Sequence, residues 1–214
     1  MITAAIALAG SLPQTARRER GNYRALLGDA VFLRYALSQA FVLGGLLTFV
    51  FGMPAVFVHA FGGSLSQFIV MQICGIVAFM LLANLSGHAL ARFGAERLIS
   101  IGTGLACAGA AATFAYAWAG GRDAMVITAL FVPVNAGLGL RGPSGFYRAV
   151  VAARNDDARG AALVILGILG AAAIGTVTAA PFVGSGLICL AGIALGFHLL
   201  AVASLMLLPK LPAS

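Results

Sequence analysis

FLRYALSQAFVLGGLLTFVFGMPAVFV, residues 32–58, carries one charge, Arg34, close to its leading end. A helix rises 1.5 Å per residue, so about 20 apolar residues cross the hydrocarbon of a bilayer. The stretch is long enough to cross and offers almost nothing for water to solvate. Five more of the same kind follow, at about residues 67–90, 98–118, 124–151, 161–183 and 187–208. The fourth is long and passes Pro133, Arg141 and Pro143. Six spans use nearly the whole chain.

Composition points the same way. Apolar residues make up 61% of the 214 residues, charged residues 9%, and mean hydropathy is +1.03. A soluble domain carries about 25% charged residues. There is too little polar surface here for a water-soluble globule, and the predicted fold class is an all-α polytopic membrane bundle of six transmembrane helices.

A net charge of +7 raises the question of nucleic acid, but the placement of the basic residues answers it. Arg17, Arg18, Arg20, Arg24 and Arg34 precede or open the first span. Arg92 and Arg97 lie between the second and third, Arg148, Arg154 and Arg159 around the fourth-to-fifth turn, and Lys210 after the sixth. Threading six helices back and forth puts all eleven on one side, with Arg122 opposite and Arg141 inside a span. Basic loops stay cytoplasmic, so both termini are expected in the cytoplasm of an integral protein of the bacterial inner (plasma) membrane. The lipid bilayer then explains the charge, and no nucleic acid is needed.

Cys74, Cys107 and Cys189 lie within apolar spans without CxxC or Cys/His spacing and are expected to be packing residues. The sequence holds no phosphate-binding loop, dinucleotide fingerprint or metal-ligand cluster, so no cofactor and no metal is expected. In-span glycines (Gly102, Gly104, Gly167, Gly170, Gly175, Gly192, Gly196) permit close helix approach, and Gly192-x-x-x-Gly196 has the four-residue repeat of such contacts.

Two short stretches resemble the major facilitator superfamily, most closely its drug:proton antiporter branch. Gly87-His-Ala-Leu-Ala-Arg92-Phe-Gly94-Ala-Glu-Arg97 is similar to the cytoplasmic signature loop of that family. Ala91 stands where the signature has aspartate, and Ala95 and Glu96 occupy usually basic places. Ser11-Leu-Pro13-Gln-Thr15, followed by arginines, resembles the run that ends the sixth helix there. The resemblance implies that the six spans correspond to helices seven to twelve, the C-terminal half of a twelve-helix transporter. Residues 1–31 would then be the end of a preceding helix plus a basic cytoplasmic segment, 32–209 the transmembrane bundle, and 210–214 a cytoplasmic tail. It further implies transport by alternating access, with multidrug efflux of small amphipathic compounds by an antiporter as the expected activity. The partner would be a complementary N-terminal six-helix half or a second copy, the chain itself being a fragment of a longer one or a natural half. Gly87, Arg92, Gly94 and Arg97 would form a conformational-switch loop. Gly87 would allow close helix contact, Gly94 a tight turn, and the arginines state-dependent pairing or helix capping.

Arg141 is the most informative residue. A guanidinium this deep in a span costs several kcal/mol unless it meets protein or water, and no carboxylate lies deep enough in these spans to neutralise it. Either it faces a substrate pathway or its long stem carries the charge back to the headgroups. Gln39 and Asn135 join it as candidate substrate or translocation contacts; Gln72 and Asn84 are the other sizeable in-span amides. Such amides usually hydrogen-bond across helices. Phe41, Phe49, Phe131 and Phe146 could supply an apolar surface. Two further readings stand beside transport: a non-transporting membrane partner or truncated remnant, and an intramembrane serine protease. The last rests on Gly142-Pro-Ser144-Gly145 and His198, which resemble the nucleophile and base of rhomboid proteases. No catalytic residue is assigned on the main reading, which is not an enzyme.

Overall fold

A computed structural model describes residues 22–154 and 156–211. Six helices are long and apolar enough to cross a membrane. We label them α1 (Ala30–Ala55), α2 (Leu65–Phe93), α3 (Ala95–Trp118), α4 (Ala124–Ala152), α5 (Asp157–Ala179) and α6 (Leu187–Leu207). Each expected span falls on one of them, and no strand occurs among the described residues. A π-helical stretch, Val56–Ala60, extends α1 just past Pro54, and a 3₁₀ stretch, Ala180–Ser185, extends α5. Proline lacks the N–H that would continue the ladder, so a change of helical pitch close to it has a local cause.

The helix ends are set by capping. Asp29 accepts from the backbone N–H groups of Val31 (2.8 Å) and Phe32 (3.4 Å) at the start of α1. Asp123 does the same for Met125 (2.8 Å) and Val126 (3.1 Å) at the start of α4. Ser64 and Gln67 form a capping box on α2. Gly94 joins α2 to α3 at φ 76°, ψ 160°, a conformation that side chains resist, so the turn expected there is met by the one residue that adopts it freely. The segment preceding α1 also contains a short helix, Tyr23–Gly28, packed on α1. The stretch from Ser11 to Thr15 and the arginines up to Arg20 lie outside the described residues.

The packing has an internal symmetry. The principal contacts of α1 are with α5 and α6, and those of α4 with α2 and α3; α3 also meets α6, and α1 meets α4. Exchanging the first three helices for the last three leaves this list unchanged. The two least buried helices, α2 and α5, are exchanged by the same operation. So are α1 and α4, whose N-caps are both aspartate.

Close backbone approach underlies these pairs. A Cβ on Gly102 would lie 2.6 Å from the carbonyl of Gly137, and one on Gly137 would run into the backbone of Gly102 and Ala106, so α3 and α4 meet glycine to glycine. The Gly192-x-x-x-Gly196 repeat does not act this way. Gly192 faces the ring of Phe114, and nothing lies within 4 Å of the Cβ position at Gly196. Four-residue spacing alone does not say which face meets a neighbour.

Candidate functional site

Arg141 is 1% exposed. Its side chain does not run back to a helix end: Nη1 donates to the carbonyl of Ser38 on α1 at 3.0 Å, tying α4 to α1. Nε and Nη2, the other two donor nitrogens, are buried without a hydrogen-bond partner among the described residues. Nor does any described carboxylate form an ion pair with it. Asp29 and Asp123 cap helices, Glu96 lies in the first turn of α3, and Asp156 pairs with Arg159 at 3.0 Å. A deep cation is therefore held by one backbone carbonyl.

Gln39 is the second member of the site. It is 5% exposed, and its Oε1 is likewise without a partner. Both groups border a cavity of about 230 Å³ lined also by Val42, Leu43, Phe79 and Leu138, lying between α1, α2 and α4. Gly145, one turn beyond Arg141, makes the arrangement possible. A Cβ there would stand 2.6 Å from Gln39 Oε1, 3.0 Å from Arg141 Nη2 and 3.4 Å from Nε. The orphaned acceptor and both orphaned donors thus pack against the backbone at Gly145, where no side chain would fit. A buried polar group without a partner costs about 1–3 kcal/mol, so three at one point is not a packing solution.

Asn135, expected with these two, is elsewhere. Its Nδ2 donates to Phe131 O, one turn back on its own helix, at 3.1 Å, and the amide packs against Gly75 of α2. Asn84 is exposed and bonds back to Met80 O at 2.9 Å. These amides satisfy themselves locally rather than across helices, an option open to any asparagine in a helix. The four phenylalanines do not gather at the Arg141 cavity either. Phe49 and Phe131 stack with centroids 5.6 Å apart beside a small pocket containing His198, Phe41 tilts against Phe197, and Phe146 packs near the end of the bundle.

The signature-like loop behaves differently from its expected roles in two respects. Gly87 is not a close-contact glycine, since nothing lies within 4 Å of its Cβ position, and it lines an open groove between α2 and α4. Arg92 sits in the last turn of α2, where a cation complements the helix dipole, and Arg97 is exposed. The residue of the loop that makes inter-helix contacts is Glu96. It faces Arg34 of α1 at 3.5 Å and Arg148 of α4 at 4.0 Å, and accepts from the Tyr35 hydroxyl at 2.5 Å. Arg34, 2% exposed, also donates to the carbonyls of Leu205 and Leu208 at the end of α6, and Leu211 N donates to Tyr35 Oη at 3.0 Å. Asp29 and Arg154 pair nearby at 3.4 Å. One polar cluster thus ties four helices at one end of the bundle, the end that alternate threading assigns to the arginines. A glutamate within a basic loop, opposite arginines opening and closing other spans, is the signal that could have found it.

Ser144 and His198 do not form a dyad. His198 Nδ1 donates to Ala194 O at 2.8 Å while Nε2 has no partner, and the two residues line different cavities. No group of three or more metal-ligating side chains occurs among the described residues. Comparisons of this chain with family models, with curated proteins and with solved structures return no match.

Proposed function

We propose that this chain is one six-helix half of a secondary transporter of the major facilitator type, moving a small molecule by alternating access. The observation that carries this reading is the packing symmetry, in which α1–α3 and α4–α6 exchange without altering the principal contacts. Transporters built from three-plus-three repeats place substrate sites near the midplane and move one bundle against another. The Arg141–Gln39 cavity lies within the helices rather than at their ends, as such a site requires. The cluster of Glu96, Arg34, Arg148 and Tyr35 at one end offers polar contacts that can form in one state and part in another. Both termini lie on the cytoplasmic side of the inner membrane in this reading.

The cavity is bordered by α1, α2 and α4, and α2, packed mainly on α4, is the least buried of the six spans. A complementary six-helix half, or a second copy, covers that side. The test is flux. Proteoliposomes holding the chain together with its membrane partners, and others holding the chain alone, are assayed for gradient-driven movement of labelled small compounds, cationic dyes and organic anions included. Flux only in the first is expected. Flux by the isolated monomer overturns the half-transporter reading, and flux by neither overturns transport.

A further inference from the structure

We propose that the groove between α3 and α6, at the end of the bundle that carries the basic residues, binds one anionic phospholipid. Its phosphate lies at Lys210 and Ser100, and an acyl chain runs over Gly104. The inference does not depend on transport; it needs only the six spans and their common basic end.

The groove is an open one of about 340 Å³, and its polarity changes along its length. At the outer end stand Lys210, just past the end of α6, and Ser100, in the second turn of α3, both exposed. Helix α3 runs away from this end and α6 runs toward it. Gly104 therefore lies one turn, about 6 Å, deeper than Ser100, and Val202 lies deeper than Lys210. The inner end offers nothing polar to a ligand, because the Thr103 hydroxyl is spent on Ile99 O at 2.6 Å. It does offer room: nothing lies within 4 Å of the Cβ position at Gly104. Exposed apolar side chains on the same two helices, Leu105 and Leu199 among them, carry the surface on toward the midplane. A groove polar at the headgroup level and apolar below it matches an amphiphile standing upright in one leaflet.

Charge selects the headgroup. Two cations, Arg34 and Lys210, line the groove, and no carboxylate does. Arg34 is buried and held by Glu96 and by carbonyls at the end of α6, so it acts through its field rather than by contact. Lys210 is the accessible donor, and it forms no ion pair among the described residues. Arg97, three residues before Ser100, adds a second exposed cation to that side of α3. Basic pockets between transmembrane helices on the cytoplasmic side hold anionic headgroups. A phosphodiester without a counter-charge, as in phosphatidylglycerol, fits this field, whereas the ammonium of phosphatidylethanolamine is repelled by it. Free phosphate would leave the apolar half of the groove unused.

The experiment is native mass spectrometry of the full chain, exchanged into detergent holding equal amounts of phosphatidylglycerol and phosphatidylethanolamine. Phosphatidylglycerol is expected to be retained at least about fivefold over the zwitterion. Lys210→Gln should lower that retention about fivefold, the usual contribution of one basic residue near an anionic surface. Gly104→Leu, which fills the apolar half at an open position, should lower it several-fold. Arg24→Gln removes an exposed cation from the same end outside the groove and should leave retention unchanged. Glycerophosphoglycerol, the headgroup without acyl chains, should not compete. Helicity and elution profile verify that each variant folds. If Gly104→Leu does not fold, Ser100→Ala replaces it, with a loss of about threefold expected. Equal retention of the two lipids overturns the proposal. So does a loss in Arg24→Gln as large as that in Lys210→Gln, which would mark a general attraction to the basic end. Displacement by the headgroup alone would show an anion site without a lipid and overturns it too.

Discussion

Arg34 and Arg148, both facing Glu96, show how unequal two charges in one cluster can be. Arg34 is almost fully buried and has three acceptors: Glu96, Leu205 O and Leu208 O. Arg148 reaches Glu96 only at 4.0 Å and is partly exposed. Removing the negative partner of a buried cation is costly, whereas a wide, solvated pair contributes little. Glu96→Gln is therefore expected to lower unfolding stability by about 1–2 kcal/mol, with Tyr35 still able to donate to the new amide. Arg148→Gln should cost under about 0.5 kcal/mol. Unfolding in mild detergent, followed by loss of helicity, measures both, and equal effects would show that burial is not what ranks them. At the same scale, Arg141 was legible as a residue that cannot be idle, because depth alone makes a guanidinium expensive. Its neighbours were not. Gln39 and Asn135 look alike in the sequence, and only the rotation of each helix decides that one meets Arg141 while the other turns back on Phe131.

Helices α3 and α4 make the clearest case for how elements fit. Gly102 and Gly137 meet backbone to backbone, so a methyl at either position must push the helices apart. Gly137→Ala is expected to destabilise the bundle by about 1–3 kcal/mol, the usual cost of overpacking. Gly170→Ala, where the Cβ position is open, should be neutral or slightly stabilising, since alanine is the better helix former by up to about 1 kcal/mol. The same unfolding measurement decides, and a Gly170→Ala loss as large as that of Gly137→Ala would refute the assignment of the contact. Seven glycines inside the spans raised the same expectation of tight packing. Which of them serve it depends on azimuth: Gly102 and Gly175 do, while Gly104, Gly170 and Gly196 face open space.

Taken whole, the bundle predicts its own topology and, on the proposed function, the face that a partner covers. The contacts of Glu96 with Arg34 and Arg148, and of Asp29 with Arg154, gather the starts of α1 and α3 and the end of α4 at one end. Single cysteines placed at Arg97 and at Arg159 should consequently react with an impermeant maleimide from the same side of the membrane, and one at Arg122 from the other. Reaction of the first two from opposite sides would break the six-span threading. The least buried helices, α2 and α5, are the ones that the three-plus-three exchange interchanges. Cysteines at Ile73 on α2 and Leu166 on α5, both more than half exposed at 56% and 66%, should crosslink to a second polypeptide in native membranes. One at Leu199 on α6 should not. Crosslinking at Leu199 alone would place the proposed partner on another face.

The sequence by itself determined the solvent of this protein, the number of its helices and the common side of their basic ends. Those properties are sums over long apolar stretches and over charges in loops, and no neighbour can reverse them. It also determined that Arg141 needs an explanation. Tertiary structure decided which glycines are contacts, that Glu96 rather than the arginines of its loop joins the helices, and that Gln39 shares a cavity with Arg141 while Asn135 does not. Each of these turns on the rotation of one helix against another. In a span apolar all round, the sequence carries almost no signal of that rotation, because lipid and protein interior favour the same side chains.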